Sequence, residues 1–272
     1  MKQQARKVVI VLPAYNAAKT LMLTLAEIPE EYRRHIILVD DASQDDTVRV
    51  ARAAGLTVIC HKENRGYGGN QKTCYKAALA AGADIVVMVH PDHQYDASVI
   101  AKMVGPIRAG QAEAVFGSRM LGGHPLEGGM PRWKYVANLL LTALANIAFG
   151  RYLTEIHSGF RAYSRKYLET VRFEDNSDDF VFDTEIIAQG VAQKMEFLEV
   201  PIVTRYFPEA SSINFRRSIV YGFGILWVLL RYCLHQTGRW RCRKLEAKSS
   251  AAGADRVSWW PADVATRPAQ ES

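Results

Sequence analysis

The stretch "HPDHQY", His90 to Tyr95, gathers one carboxylate, two imidazoles and an amide oxygen within six residues. It follows "DIVVMV", a run that reads as a buried strand. A strand that ends on such groups could hold a divalent cation, bind a phosphate, or simply turn. One carboxylate is few for a hard cation, and an imidazole suits manganese better than magnesium. Three other strand ends carry polar groups of the same kind: Tyr15 with Asn16, Asp40 with Asp41, and Ser118 with Arg119. Caps and turns explain each of these singly; together they describe a nucleotide-sized cleft.

The elements that must position these groups follow from the apolar pattern. "KVVIVLPAYN", "RHIILVDDAS", "LTVICHKE", "ADIVVMVHPD" and "AEAVFGSRM" read as five strands. Between them lie helix-spaced segments such as "AAKTLMLTLAEIP", "DDTVRVARAAG" and "GGNQKTCYKAALAAG", the last two stopped by glycine. Such alternation predicts an α/β fold of Rossmann-like type, with a mainly parallel sheet flanked by helices. Ligands of such sheets bind at the carboxyl ends of the strands, where the polar groups fall. "RGYGGN" lacks the spacing of a dinucleotide fingerprint and does not open directly from a strand.

The chain has 272 residues, of which 49% are hydrophobic and 23% charged, with a formal net charge of +6. That is globular composition with a bias toward anionic ligands. None of the four cysteines forms a CxxC pair, so neither a zinc site nor a disulfide framework is expected. The N-terminal apolar run is too short for a signal peptide and reads as the first strand.

After Leu121 the pattern changes. "LTEIHSGFRAYSRKYLETV" reads as a loop entering a helix, and "DDFVFDTEIIAQGVAQKMEFLEVPIVTRY" as a helix and a last strand. Two apolar helices, 135–149 and 219–234, are flanked by basic residues and carry aromatics suited to a headgroup boundary. The second is too short in its apolar run to span ~30 Å of hydrocarbon, so both read as interfacial rather than spanning. The expected organisation is a main domain over 1–208, an apolar and basic helical segment over 209–248, and a disordered tail over 249–272.

Several motifs then combine. "VIVLPAYNA", "ILVDDASQDDT", "ENRGYGGNQKTCYKAALAAGADIVVMVHPDHQY", "VFGSRM", "SGFRAYSR", "FDTEII" and "EVPI" stand in the order found in family 2 glycosyltransferases of the GT-A fold. Each is weak alone; seven in order are specific. The chain most resembles the branch acting on polyprenyl phosphates, which includes the dolichyl-phosphate mannose synthases, over roughly residues 7 to 240. The resemblance implies an inverting transfer of a sugar from a nucleoside diphosphate donor, with Mn2+ or Mg2+ as cofactor.

Carried onto these positions, it implies a nucleotide-sugar site of Pro13, Tyr15, Asn16, Asp40, Asp41 and Arg119. A carboxylate accepts the N–H edge of uracil or guanine and matches adenine less well, so the donor is expected to be a UDP- or GDP-sugar. It implies a cation on Asp92 and Gln94, with His90 where the family has a first aspartate. Ala17 stands where the family often has glutamate, and Ile213 where a lysine often follows "GxS". An alcohol acceptor needs a general base, and the candidates are Asp183, Glu185 and Glu155. A phosphate acceptor is already an anion and needs cations: Arg132, Lys134, Arg161 and Arg205. The expected partners are a nucleotide sugar, a lipid-phosphate or glycan acceptor and a membrane surface, with no nucleic acid and an open possibility of a homo-oligomer. The expected place is the cytoplasm, peripheral at the cytosolic face of the membrane. The alternatives are transfer to a hydroxyl of a surface glycan and a non-catalytic sugar-nucleotide binder.

Overall fold

Among the described residues, seven strands form one sheet in the order β3-β2-β1-β4-β6-β5-β7. They are β1 (Val8–Ala14), β2 (Ile36–Asp40), β3 (Thr57–Cys60), β4 (Ile85–Met88), β5 (Ala114–Ser118), β6 (Arg161–Ser164) and β7 (Phe197–Pro201). The helices are α1 (Leu21–Glu27), α2 (Thr47–Ala53), α3 (Gly66–Ala80), α4 (Ile100–Arg108), α5 (Arg132–Phe149), α6 (Arg165–Thr170), α7 (Phe182–Ala192) and α8 (Phe215–Gln236). The computed structural model describes residues 6–122, 125–205 and 215–248. The expected tail over 249–272, and "EASSIN" with Ile213, lie outside the described residues.

The continuous apolar runs have a plain cause: every residue of β1, β2, β4 and β5 is buried. Val9, Val11, Val39 and Val86 pack into a core with α3 and α7, whereas Ile10, Leu12, Leu38 and Val87 pack on the opposite face with α1 and α4. A parallel sheet covered on both faces reads as unbroken hydrophobic sequence.

One element departs from expectation. "RAYS" is not part of a loop entering a helix but the strand β6, inserted antiparallel between β4 and β5. Its register pairs Arg161 with both Met88 and Phe116. Because β6 runs against its neighbours, it begins where they end. The "SGFR" motif is thereby delivered to the carboxyl edge of the sheet, beside "HPDHQY".

Helix α5 starts at Arg132, three residues before the expected boundary, and stops on Gly150, whose φ of +60° is the left-handed turn that closes a helix. Helix α8 has 22 residues, a length of about 33 Å. Its stretch Ser218–Gln236, with mean hydropathy 1.4, is long and apolar enough to cross a membrane by length and composition. This corrects the expectation of too short a run: Tyr232, Cys233 and Leu234 extend it past Arg231. One face is nevertheless built into the domain. Ile225, Val228, Leu229 and Tyr232 are buried, and the Tyr232 ring meets Phe149 edge-on at 4.9 Å.

Candidate active site

One side of the cleft lies at the ends of β1 and β2. Pro13 pairs with Val39 of β2, while pairing of β1 to β4 stops at Val11 with Met88. The residue without an N–H thus sits where the two central strands part. Tyr15 is 55% exposed, an open aromatic face at the strand end. Asn16 adopts φ +52° and ties two loops together: its N–H donates to Ser43 Oγ and its Oδ1 accepts from Gln44 N, each at 2.8 Å.

Asp40 and Asp41 are both buried and point to opposite faces, as consecutive strand residues do. Asp40 Oδ2 accepts from Ser43 N at 3.0 Å, and its Oδ1 is buried with no partner. Asp41 faces α3. Its Oδ1 accepts from His61 Nδ1 at 2.7 Å and Arg65 N at 2.8 Å, and its Oδ2 from Gly66 N at 3.0 Å. The glycines of "RGYGGN" serve packing here. A Cβ on Gly68 would lie 2.3 Å from Ser177 O, and the Gly68 N–H donates to Asp178 O at 2.7 Å. A carbonyl therefore fills the place where a dinucleotide phosphate would sit.

At the end of β4, His90 stacks on Tyr67 with ring centroids 5.4 Å apart and planes 6° apart. Its Nε2 is 3.4 Å from Tyr67 Oη. A Cβ on Gly159 would come within 2.5 Å of that nitrogen, so the glycine of "SGFR" leaves room for the imidazole. Burial, with help from the Arg161 charge, lowers the His90 pKa to about 4. Asp92 accepts from Gln94 N at 3.1 Å. Burial raises its pKa to about 6, and only backbone N–H groups act against that rise.

Nearby, Arg205 donates to Glu27 Oε1 at 2.6 Å, and its N–H to Gln94 O at 2.9 Å. His93, with φ +57°, places Nδ1 3.7 Å from Glu27 Oε2. Arg205 thus reaches the loop over 90–95 and fastens it to the segment that follows β7.

The three acids considered as bases are all engaged. Glu155 is fully buried; it accepts from Arg119 N at 2.7 Å, Arg119 Nε at 2.8 Å and Asn138 Nδ2 at 2.7 Å. Burial opposes its charge, but Arg119 and Asn138 outweigh burial and hold the carboxyl below its usual range. Its role is to hold Arg119. Asp183 accepts from Tyr67 Oη at 2.8 Å and Gln71 Nε2 at 3.2 Å, and lies 3.4 Å from Arg161 NH1. Burial raises its pKa against those three partners. Glu185 faces away from the cleft, toward Arg231 at 2.7 Å, Lys244 at 3.0 Å and Ser177 N at 2.6 Å. It fastens α7 to α8 and the segment beyond.

Arg161 also differs from its expected part. It is 1% exposed, and its guanidinium donates to Ser158 O, Asp183 O and Ile156 O at 2.7 to 3.1 Å. No face of it is left for an acceptor phosphate. Arg132 is exposed, and half-buried Lys134 has its pKa lowered by burial and by the neighbouring Arg119 charge. Both stand at the start of α5, on the Arg119 side of the cleft. Sequence reasoning missed His61, Tyr67, Asn138 and Gly159. The histidine ending β3 in "ICHKE" was the one visible signal; the others gain meaning only from distant partners. Among the described residues, no group of three or more His, Cys, Asp or Glu could hold a metal by itself.

The comparisons agree with this architecture. Residues 9–172 match the glycosyl transferase family 2 model, and the chain belongs to that family. The UDP-N-acetylglucosamine–dolichyl-phosphate N-acetylglucosaminyltransferase of Methanococcus voltae is 29% identical over 240 residues, covering 81% of this chain and 94% of its own. The undecaprenyl-phosphate mannosyltransferase of Micrococcus luteus is 26% identical over 206 residues, covering 72% and 82%. The structure of glucosyl-3-phosphoglycerate synthase from Mycobacterium tuberculosis, with Mn2+, UDP and glucosyl-3-phosphoglycerate, aligns with a TM-score of 0.63 at 20% identity, over 84% of this chain and 80% of that one. The fold is therefore GT-A, and the protein is a glycosyltransferase.

Proposed function

We propose that the enzyme moves a sugar from a nucleoside diphosphate to a polyprenyl phosphate at the cytosolic face of a membrane. One observation carries the choice of acceptor. Glu155, Asp183 and Glu185 each answer to an arginine or lysine, so none is free to deprotonate an alcohol. An acceptor that arrives as an anion needs no base. The relatives from Methanococcus voltae and Micrococcus luteus, named for dolichyl and undecaprenyl phosphate, support the same class.

In this reading the acceptor phosphate oxygen attacks the anomeric carbon as the bond to the donor diphosphate breaks, with inversion. Tyr15 and the β2 end hold the nucleoside. Arg132, Lys134 and Arg205 gather the acceptor's negative charge. Asp92 fits a divalent cation: it is a half-buried carboxylate, no cationic side chain among the described residues shifts it, and burial raises its pKa to about 6. Such ions are held by one or two carboxylates plus substrate phosphates, which suits a site with so few protein ligands. The cation, when bound, neutralises charge on the departing diphosphate. Gln94 is the further oxygen ligand on the same loop, and His90 borders it.

The outer faces of α5 and α8 support the membrane part. Trp133, Val136, Leu140, Leu144 and Ile147 form one exposed stripe on α5, and Ile219, Phe223, Trp227 and Leu230 another on α8. The buried inner face of α8 favours lying in the interface over crossing it. The test is incorporation of radiolabelled sugar from UDP- and GDP-sugars in membranes containing polyprenyl phosphate. Label is expected in an organic-extractable, mild-acid-labile product. Label confined to water-soluble glycan overturns the acceptor.

A further inference from the structure

We infer that the base slot at the end of β2 accepts uracil and turns guanine away, so that the donor is a uridine diphosphate sugar. This rests on the reading above that Asp41 meets the donor base. It then follows from counting lone pairs.

An ionised carboxylate offers about four acceptor positions over two oxygens. Asp41 Oδ1 has both of its positions taken, by His61 Nδ1 at 2.7 Å and Arg65 N at 2.8 Å. Oδ2 has one taken, by Gly66 N at 3.0 Å. One acceptor position remains, on one oxygen. The arrangement is rigid. His61 Nε2 is 2.9 Å from Thr73 Oγ1 on α3, and the His61 and Asp41 side chains are 7% and 4% exposed.

Uracil presents a single N–H on its pairing edge, at N3. Guanine presents two adjacent donors, N1–H and N2–H, which a carboxylate matches only with both oxygens open. Here guanine would leave one donor facing a filled oxygen, and a desolvated donor without a partner weakens binding. Adenine and cytosine set a ring-nitrogen lone pair against the carboxylate. Asp40 cannot serve as the second acceptor, because its side chain lies on the other face of the sheet. His61 is thus a positioning and specificity-determining residue: with Arg65 N it fills Oδ1 and leaves the open acceptor position on Oδ2.

The experiment is calorimetric titration of the full chain with UDP, GDP, ADP and CDP in the presence of Mn2+. UDP is expected to bind at least tenfold more tightly than GDP, ADP or CDP. A UDP to GDP ratio below tenfold, or a preference for GDP, overturns the inference and leaves the transferase reading standing. Failure to bind any nucleoside diphosphate sinks the transferase reading as well. In His61→Leu, Oδ1 is reopened: UDP affinity is expected to fall while the UDP to GDP ratio shrinks several-fold. A folded variant that keeps the wild-type ratio removes His61 from this role, and the wild-type titration stands whether or not the variant folds.

Discussion

Burial pushes the pKa of both Asp92 and Asp183 upward, yet half-buried Asp92 and buried Asp183 sit in opposite kinds of surroundings. Asp183 is closed in by Arg161, Tyr67 and Gln71. Asp92 is met by backbone N–H groups and no cation. The difference separates a carboxylate locked into the fold by its partners from one that no cationic side chain among the described residues answers. The same division runs through the cleft. The α7 side and the 153–161 loop are locked by internal ion pairs, whereas at the β4 end no cationic side chain among the described residues shifts Asp92.

The sharpest way to break this contrast is to remove each carboxylate. Asp183→Ala strands the Arg161 charge in the core and is expected to cost about 3–5 kcal/mol in urea unfolding. A loss below ~1 kcal/mol would mean the pair is not structural. Asp92→Asn is expected to do the reverse: turnover falls about 10²–10³-fold in single-turnover assays, with the melting temperature unchanged or raised. A marked drop in stability would place Asp92 with the structural group.

The locked side also has a pH signature. Burial lowers the His157 pKa to about 3, against a pull upward from Glu155. Its depressed folded pKa means the unfolded chain binds the extra proton first. The stability it confers is complete above pH 6.5 and is lost as pH falls toward 3, at ~1.4 kcal/mol per unit. His157→Gln, which can still reach Tyr221, is expected to lose about 2 kcal/mol less than wild type between pH 6.5 and 5, measured by chemical denaturation at each pH. Identical acid limbs would contradict it. The smallest effect is on the open side. His90→Asp, restoring a carboxylate beside Asp92, is expected to raise Mg2+-supported turnover relative to Mn2+ several-fold. No change in that ratio would exclude His90 from the cation's surroundings.

The division was not legible in the sequence, although much of the fold was. The buried runs of β1, β2, β4 and β5 announced themselves because both faces of the sheet are covered. β6 did not: it has four residues, opens on an arginine and lacks a run of apolar neighbours. Its place depends on Arg161 being neutralised by Asp183, which is 22 positions away. Each acid's role was hidden for the same reason. Glu155 finds Arg119 at a separation of 36, and Glu185 finds Arg231 at 46. A motif shows that an acid is at a strand or helix end, but whether a cation already answers it is decided by chain crossings that no local pattern records. The strand-end positions of Asp41 and Asp92 needed no such partner to be noticed.

The insertion of β6 also orders the making of the protein. Among the described residues β5 pairs only with β6 and β7, so a chain emerging from the ribosome cannot seat β5 when it is made. Until residue 164 is available, the sheet is the parallel quartet β3-β2-β1-β4, with β4 as an open edge. The end of the cleft with Tyr15, Asp40 and Asp41 belongs to that early quartet, and the locked acidic network to the late strands. Synthesis therefore completes the proposed seat of the donor before the walls that close around it.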